Sequence, residues 1–136
     1  ASDRVIVDVG GRAGDRNGDG EQQLICDMEW TGEAIGNIVK NALDHTQVGG
    51  IVRITWNRAP AMFQIFISDN GSGIAPEDIH HIFKRFYRSK HSIDTQGIGL
   101  GLPLAKSIIE GQNGVISVQS EVGKGTLFTL SFLTDL

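Results

Sequence analysis

The stretch from Trp30 to Thr46, WTGEAIGNIVKNALDHT, constrains this chain most, because one helical segment carries both an apolar stripe and a row of polar side chains. Trp30, Ala34, Ile35, Ile38, Val39, Ala42 and Leu43 recur at the 3.6-residue period and predict one buried face. Asn37, Asn41 and His45 fall one turn apart on a neighbouring stripe. Asparagine is a poor helix former, so two of them at a four-residue interval beside a core face call for a reason. A solvent boundary is one such reason, and a ligand site is the other. Asp27 can accept hydrogen bonds from the first free amides of this helix, and Glu29 suits its positive end.

The remaining segments supply strands. Arg4 to Val9 alternates as a half-buried strand, and Gln22 to Cys26 is expected to pair with it as a hairpin across the glycine-rich turn from Gly10 to Gly20. In that turn Asp15, Asn17, Asp19 and Gly20 match the first half of an EF-hand calcium loop. The match breaks at the twelfth position, where Cys26 replaces the bidentate glutamate, and the flanks are strand-like. An exposed turn that uses Asn, Asp and Gly for their backbone tolerance is the better reading.

Residues 51 to 68 alternate through Val52, Ile54 and Trp56, then Phe63, Ile65 and Ile67, and predict an antiparallel hairpin. Asp69-Asn-Gly-Ser-Gly-Ile74 follows it, and Pro76, Glu77 and Asp78 start a short helix through Ile79, Ile82 and Phe83. His80 and His81 are expected on its surface. Lys84-Arg-Phe-Tyr-Arg88 interleaves cations with aromatics, and Ser89 to Gln96 lacks periodicity and is expected to be a mobile loop. Gly97-Ile-Gly-Leu-Gly-Leu102 leads into a helix with Pro103 in its first turn and a stripe of Leu104, Ala105, Ile108 and Ile109. Ile116 and Val118, then Phe128, Leu130 and Phe132, form a last hairpin around Glu121-Val-Gly-Lys-Gly125.

With hairpins outnumbering crossovers, the expected fold is α+β, an α/β sandwich of two layers. A mixed, mostly antiparallel sheet of about five to six strands is covered on one face by three helices. The 136 residues suit one domain that buries roughly two thirds of its unfolded surface. A formal net charge of -4 without a long basic run argues against a nucleic-acid partner. A single cysteine excludes an intrachain disulfide framework. No apolar run approaches the ~20 residues that span a bilayer, so no membrane contact is expected of this domain.

Taken alone, the glycine motifs are weak. A dinucleotide fingerprint wants a preceding strand and a third glycine where Leu102 stands, and no P-loop Gly-Lys-Ser/Thr is present. Their order is specific, and in it the chain resembles the ATP-binding catalytic domain of sensor histidine kinases, of the GHKL superfamily with its Bergerat fold. The N box corresponds to Asn37-Ile-Val-Lys-Asn41-Ala-Leu-Asp-His45-Thr and the first glycine box to Asp69-Asn-Gly71-Ser-Gly73. The F box corresponds to Phe83-Lys-Arg-Phe86-Tyr-Arg88, the second glycine box to Gly97-Ile-Gly99-Leu-Gly101-Leu, and Gly123-Lys-Gly125-Thr126 matches as well.

The resemblance implies ATP and Mg²⁺ as cofactors. Asn41 would ligate the metal through its side-chain oxygen, with Asn37 supporting it and His45 lining the wall. Asp69 would accept the exocyclic amine of adenine, Gly71 and Gly73 would let the backbone approach the ring, and Thr126 would add a polar contact. Gly97, Gly99 and Gly101, with Leu100 and Leu102 between and after them, would present amides to the phosphates while residues 89 to 96 close as a lid. Arg85 and Arg88 would stabilise the transferring phosphoryl group or dock the acceptor domain.

Many family members have a lysine where this chain has Asp44, and Lys40, one turn earlier, is a candidate to replace it. Hydrolysing relatives carry a glutamate at the position of Asn37. A carboxamide cannot be a general base, which favours transfer to a histidine. The chain is thus expected to be a monomeric catalytic fragment, residues 1–136, without its dimerisation and phosphoacceptor domain. It would work in the cytoplasm with that domain and a response regulator, under a membrane-anchored parent. The other reading is a nucleotide-regulated interaction module, or an anti-sigma-like domain, with little kinase activity.

Overall fold

The computed structural model describes residues 6–9, 28–87 and 100–133. The expected strand at Gln22 to Cys26, the turn from Gly10 to Gly20, and the loop from Ser89 to Gln96 lie outside them. Five strands form one mixed sheet: β1 (Ile6–Val9), β2 (Ile51–Ala59), β3 (Met62–Asp69), β4 (Gly114–Glu121) and β5 (Gly125–Leu133). Their order is β1-β2-β3-β5-β4, with β1 parallel to β2 and the other neighbours antiparallel. Two longer helices, α1 (Met28–His45) and α3 (Gly101–Glu110), form the second layer, and α2 (Pro76–Ile79) is a single turn.

Cross-strand register sorts the covered face of the sheet into rows. One row reads Ile54, Ile67, Phe128, Val118, and the next reads Trp56, Ile65, Leu130, Ile116. Phe63, Phe132 and Gly114 follow below. Ala34, Ile38 and Ala42 of α1 and Leu102, Ala105, Ile108 and Ile109 of α3 close over these rows as one continuous core. The opposite face is mostly polar, lined by Arg53, Thr55, Asn57, Gln64, Thr129, Ser131 and Ser117 with Phe66 and Leu127 half-buried among them. Gln64 Nε2 donates to Ser131 Oγ across β3 and β5 at 3.2 Å.

Above the apolar rows, at one end of the sheet, the same register gives a row of different chemistry: Val52, Asp69, Thr126, Ser120. The polar end and the apolar body are therefore fixed by the same strand pairing.

Four expectations need correction. The buried stripe of α3 is Leu102, Ala105, Ile108 and Ile109, whereas Leu104 is 41% exposed. The buried stripe of α1 is centred on Thr31, Ala34, Ile38 and Ala42, whereas Trp30 is 56% exposed and Leu43 is 37% exposed. The 3.6-residue period predicts a wide apolar face, but α3 covers only its centre. Thr31 is tolerated inside because Gln112 Nε2 donates to its Oγ1 at 2.9 Å. The short helix stops at Ile79, and turns with bonds from His81 N–H to the Asp78 carbonyl and from Lys84 N–H to the His81 carbonyl carry the chain on. Ile82 and Phe83 still reach the core, where Phe83 meets Phe128 edge to face at 6.4 Å and Lys106 Nζ lies 5.4 Å over its ring. His81 is half-buried against the Tyr87 ring, 5.3 Å between centroids, so of the two histidines only His80 is a surface residue.

Candidate functional site

The row of Asn37, Asn41 and His45 runs along α1 at four-residue steps, roughly 12 Å from first to last at 1.5 Å per residue. At its far end the His45 carbonyl accepts the Ser72 N–H at 3.0 Å, which joins the helix terminus to the loop after β3. The contact is close enough to dictate sequence. A Cβ on Gly71 would lie 2.2 Å from the His45 carbonyl oxygen, so only glycine fits.

The other side of this loop is held by the β4–β5 turn. Gly123 N–H donates to the Ser72 carbonyl at 2.9 Å, and Ile74 N–H donates to Ser120 Oγ at 2.7 Å. Gly73 has φ +78°, and a Cβ there would meet the Glu121 carbonyl at 2.3 Å. Asn70 Oδ1 accepts the Ile51 N–H at 2.8 Å and ties the loop to the start of β2. The segment is thus clamped from three directions, as a rigid wall of a binding site needs to be.

Asp69 sits at the mouth of this wall and is buried. Its Oδ1 accepts the Gly71 N–H at 2.9 Å. Burial pushes its carboxyl above the usual carboxylate range, and the backbone N–H groups of Gly71 and Thr126, with the charge of His45, only partly offset this. Thr126 faces it across the sheet and is also buried. A buried acceptor beside a polar hydroxyl, above rows of Ile and Phe, can receive a flat, mostly apolar group that carries an N–H donor.

At the near end of the α1 row, the start of α3 comes close. A Cβ on Gly101 would lie 3.8 Å from Asn37 Cβ. Asn37 Nδ2 is buried and has no hydrogen-bond partner among the described residues. Such an amide costs about 1–3 kcal/mol unless something binds it. It stands beside the first turn of a ten-residue helix, whose free amides favour an anion. Asn41 is half-buried between the two ends. No group of three or more His, Cys, Asp or Glu side chains capable of holding a metal occurs among the described residues. Any cation here would keep most of its shell from water and ligand, as a magnesium ion brought in on phosphates does.

The structure therefore brings together Asn37, Asn41, His45, Asp69, Gly71, Gly73, Gly101 and Thr126. Leu102 belongs to the core under the site, and Leu100 directly precedes α3. Arg85 is exposed, before a reversal at Phe86 with φ 64°. Lys40 is exposed and Asp44 half-buried on α1. Arg88, Gly97, Gly99 and the calcium-like run from Asp15 to Gly20 lie outside the described residues. Ser72, Asn70 and Ser120 were missed in the sequence. Ser120 had a legible signal, since it continues the inward alternation of Ile116 and Val118.

A family model described as histidine kinase-, DNA gyrase B-, and HSP90-like ATPase matches residues 26–135. Sensor histidine kinase RppB of Synechocystis sp. is 43% identical over 98 residues, which are 71% of this chain and 22% of that protein. Sensor protein SrrB of Staphylococcus aureus is 39% identical over 106 residues, 76% of this chain and 18% of that protein. The chain thus spans about a fifth of the length of these curated relatives. Among solved structures, the mycobacterial sensor histidine kinase MprB superposes with a TM-score of 0.80 at 26% identity, covering 95% of this chain and 83% of that one. The catalytic domain of histidine kinase ThkA superposes with a TM-score of 0.76 at 21% identity, over 95% and 80% of the two chains, a likeness of fold.

Proposed function

Since this chain belongs to the histidine kinase-, DNA gyrase B- and HSP90-like ATPase family, we propose that it binds Mg·ATP and delivers the γ-phosphoryl group to a histidine in two-component signalling. The observation that carries this reading is the row on α1. Asn37, Asn41 and His45 run from the unpartnered amide beside α3 to the buried carboxylate beside Thr126. An elongated ligand with an anionic end and a donor-bearing aromatic end fits this order.

Asp69 accepts the adenine amine, and the glycine loop forms the wall against the ring. Asn37 donates Nδ2 to a phosphate oxygen, and the amides at the start of α3 hold other phosphate oxygens, a role the sequence resemblance also gives to Gly97 and Gly99. Asn41 would hold the magnesium ion through its side-chain oxygen, and the ion would supply positive charge to the phosphate chain. Arg85 and Arg88 meet the charge that moves with the phosphoryl group or the surface of the acceptor domain. In the transfer, an imidazole nitrogen lone pair of the acceptor forms a bond to the γ-phosphorus as the bond to the β–γ bridging oxygen breaks. ADP leaves, and the imidazole gives its N–H proton to solvent. A neutral imidazole needs little help from a base, and Asn37 cannot act as one.

The acceptor belongs to a helical dimerisation domain of the parent protein, which then passes the group to a response-regulator aspartate. The expected setting is the cytoplasmic side of a membrane-anchored parent; no helix of the described residues is long and apolar enough to cross a membrane. The experiment is to mix this chain with that helical domain and γ-labelled ATP. Acid-labile, alkali-stable label on the helical domain is the expected result, and ATP binding without any such label would overturn the kinase reading.

A further inference from the structure

Ser120 has three polar neighbours, and they fix where its proton goes. Ile74 N–H donates to Ser120 Oγ at 2.7 Å. The Gly125 carbonyl lies 3.0 Å from the same oxygen, and Thr126 Oγ1 lies 2.8 Å from it. A serine hydroxyl gives one proton and accepts through two lone pairs. An N–H can only donate and a carbonyl can only accept, so Ser120 accepts from Ile74 and gives its proton to Gly125. The remaining contact is then a hydrogen bond only if Thr126 is the donor. Thr126 has a single hydroxyl proton, and this arrangement spends it on Ser120. What Thr126 can offer a ligand is lone pairs.

Thr126 stands directly opposite Asp69 in the sheet. We propose that Ser120 is a positioning residue for base specificity: by holding the Thr126 proton it makes Asp69 and Thr126 an acceptor-only pair toward the substituent on C6 of a purine, which admits an amino group there and repels an oxo group. The inference rests on the reading of Asp69 as the contact to the base. With Ser120 removed, the Thr126 hydroxyl is free to rotate and can donate to a 6-oxo group. Removal also frees the Ile74 N–H, but this loosens the loop for either nucleotide, so the ratio of affinities isolates the effect on the base.

The test is calorimetric titration of the chain with Mg·ATP and Mg·ITP, the latter bearing a 6-oxo group. Wild type is expected to prefer ATP. Ser120→Ala is expected to reduce the ATP-to-ITP affinity ratio by about fivefold or more, the scale of one hydrogen bond, and Ser120→Thr, which keeps a hydroxyl, is expected to preserve it. An unchanged ratio in Ser120→Ala would overturn the role of Ser120 and leave the adenine reading standing. Equal binding of both nucleotides by wild type would overturn the adenine reading itself. Should Ser120→Ala not fold, Ser120→Cys applies the same test, since a thiol is a weak hydrogen-bonding group and the ratio must again fall.

Discussion

Asp69 is a carboxyl at the top of apolar rows, and its surroundings govern both its proton and its ligand. Burial raises its pKa above the ordinary value of 3.8. A carboxyl whose pKa rises on folding stabilises the native state below its ordinary value, and that contribution is lost as pH climbs through the raised value. At neutral pH the buried charge is therefore a cost in stability, which the proposed contact to adenine would explain. Asp69→Asn should leave the melting temperature equal or higher, since the amide oxygen can still accept the Gly71 N–H. The same change should weaken ATP binding at least tenfold, because a hydrogen bond to a charged acceptor contributes about 1.5–3 kcal/mol and the new NH₂ group would face the adenine amine. Thermal melts and titrations of the two proteins check both parts. In wild type, ATP binding should weaken as pH falls, beginning at a higher pH than an ordinary carboxyl would give.

Between elements, the loop that follows β3 is where local sequence and tertiary contact demand the same residue. Gly73→Ala would place a Cβ 2.3 Å from the Glu121 carbonyl at φ +78°, and should cost about 2 kcal/mol or more. Gly32 offers the contrast within α1. Nothing lies within 4 Å of a Cβ there, so Gly32→Ala should stabilise the protein by about 0.5–1 kcal/mol. Chemical denaturation of both variants checks the opposite signs. The strands and long helices were legible because their apolar periods of 2 and 3.6 residues are set by backbone geometry. The end of α2 was not, since the chain passes there into turns closed by His81 N–H to the Asp78 carbonyl and Lys84 N–H to the His81 carbonyl, and the Tyr87 hydroxyl returns to Asp78 from nine residues away. The exposure of Trp30 likewise depends on how much of α1 is covered by α3, which no local pattern encodes.

For the molecule as a whole, the ligand site lies where a helix row, a strand end and a helix start meet. Asn37, Asn41 and His45 could be grouped from sequence because they share one helix face. Asp69 and Thr126 lie 57 positions apart, and their pairing follows from the β3–β5 register. Ser120 shows its inward face in the sequence, but its role follows from hydrogen bonds to two other segments, Ile74 after β3 and Gly125 and Thr126 of β5. The proposed site is therefore a product of the same strand pairing that builds the core, and in the proposed binding mode Asn41 is its midpoint, between Asp69 and Asn37. Calorimetric titration of Mg·ATP into wild type and Asn41→Ala tests this account most directly. A loss of affinity of at least tenfold in the variant, with an unchanged melting temperature in the absence of nucleotide, is the predicted result; equal affinity would contradict the metal role of Asn41 and the path of the nucleotide along α1.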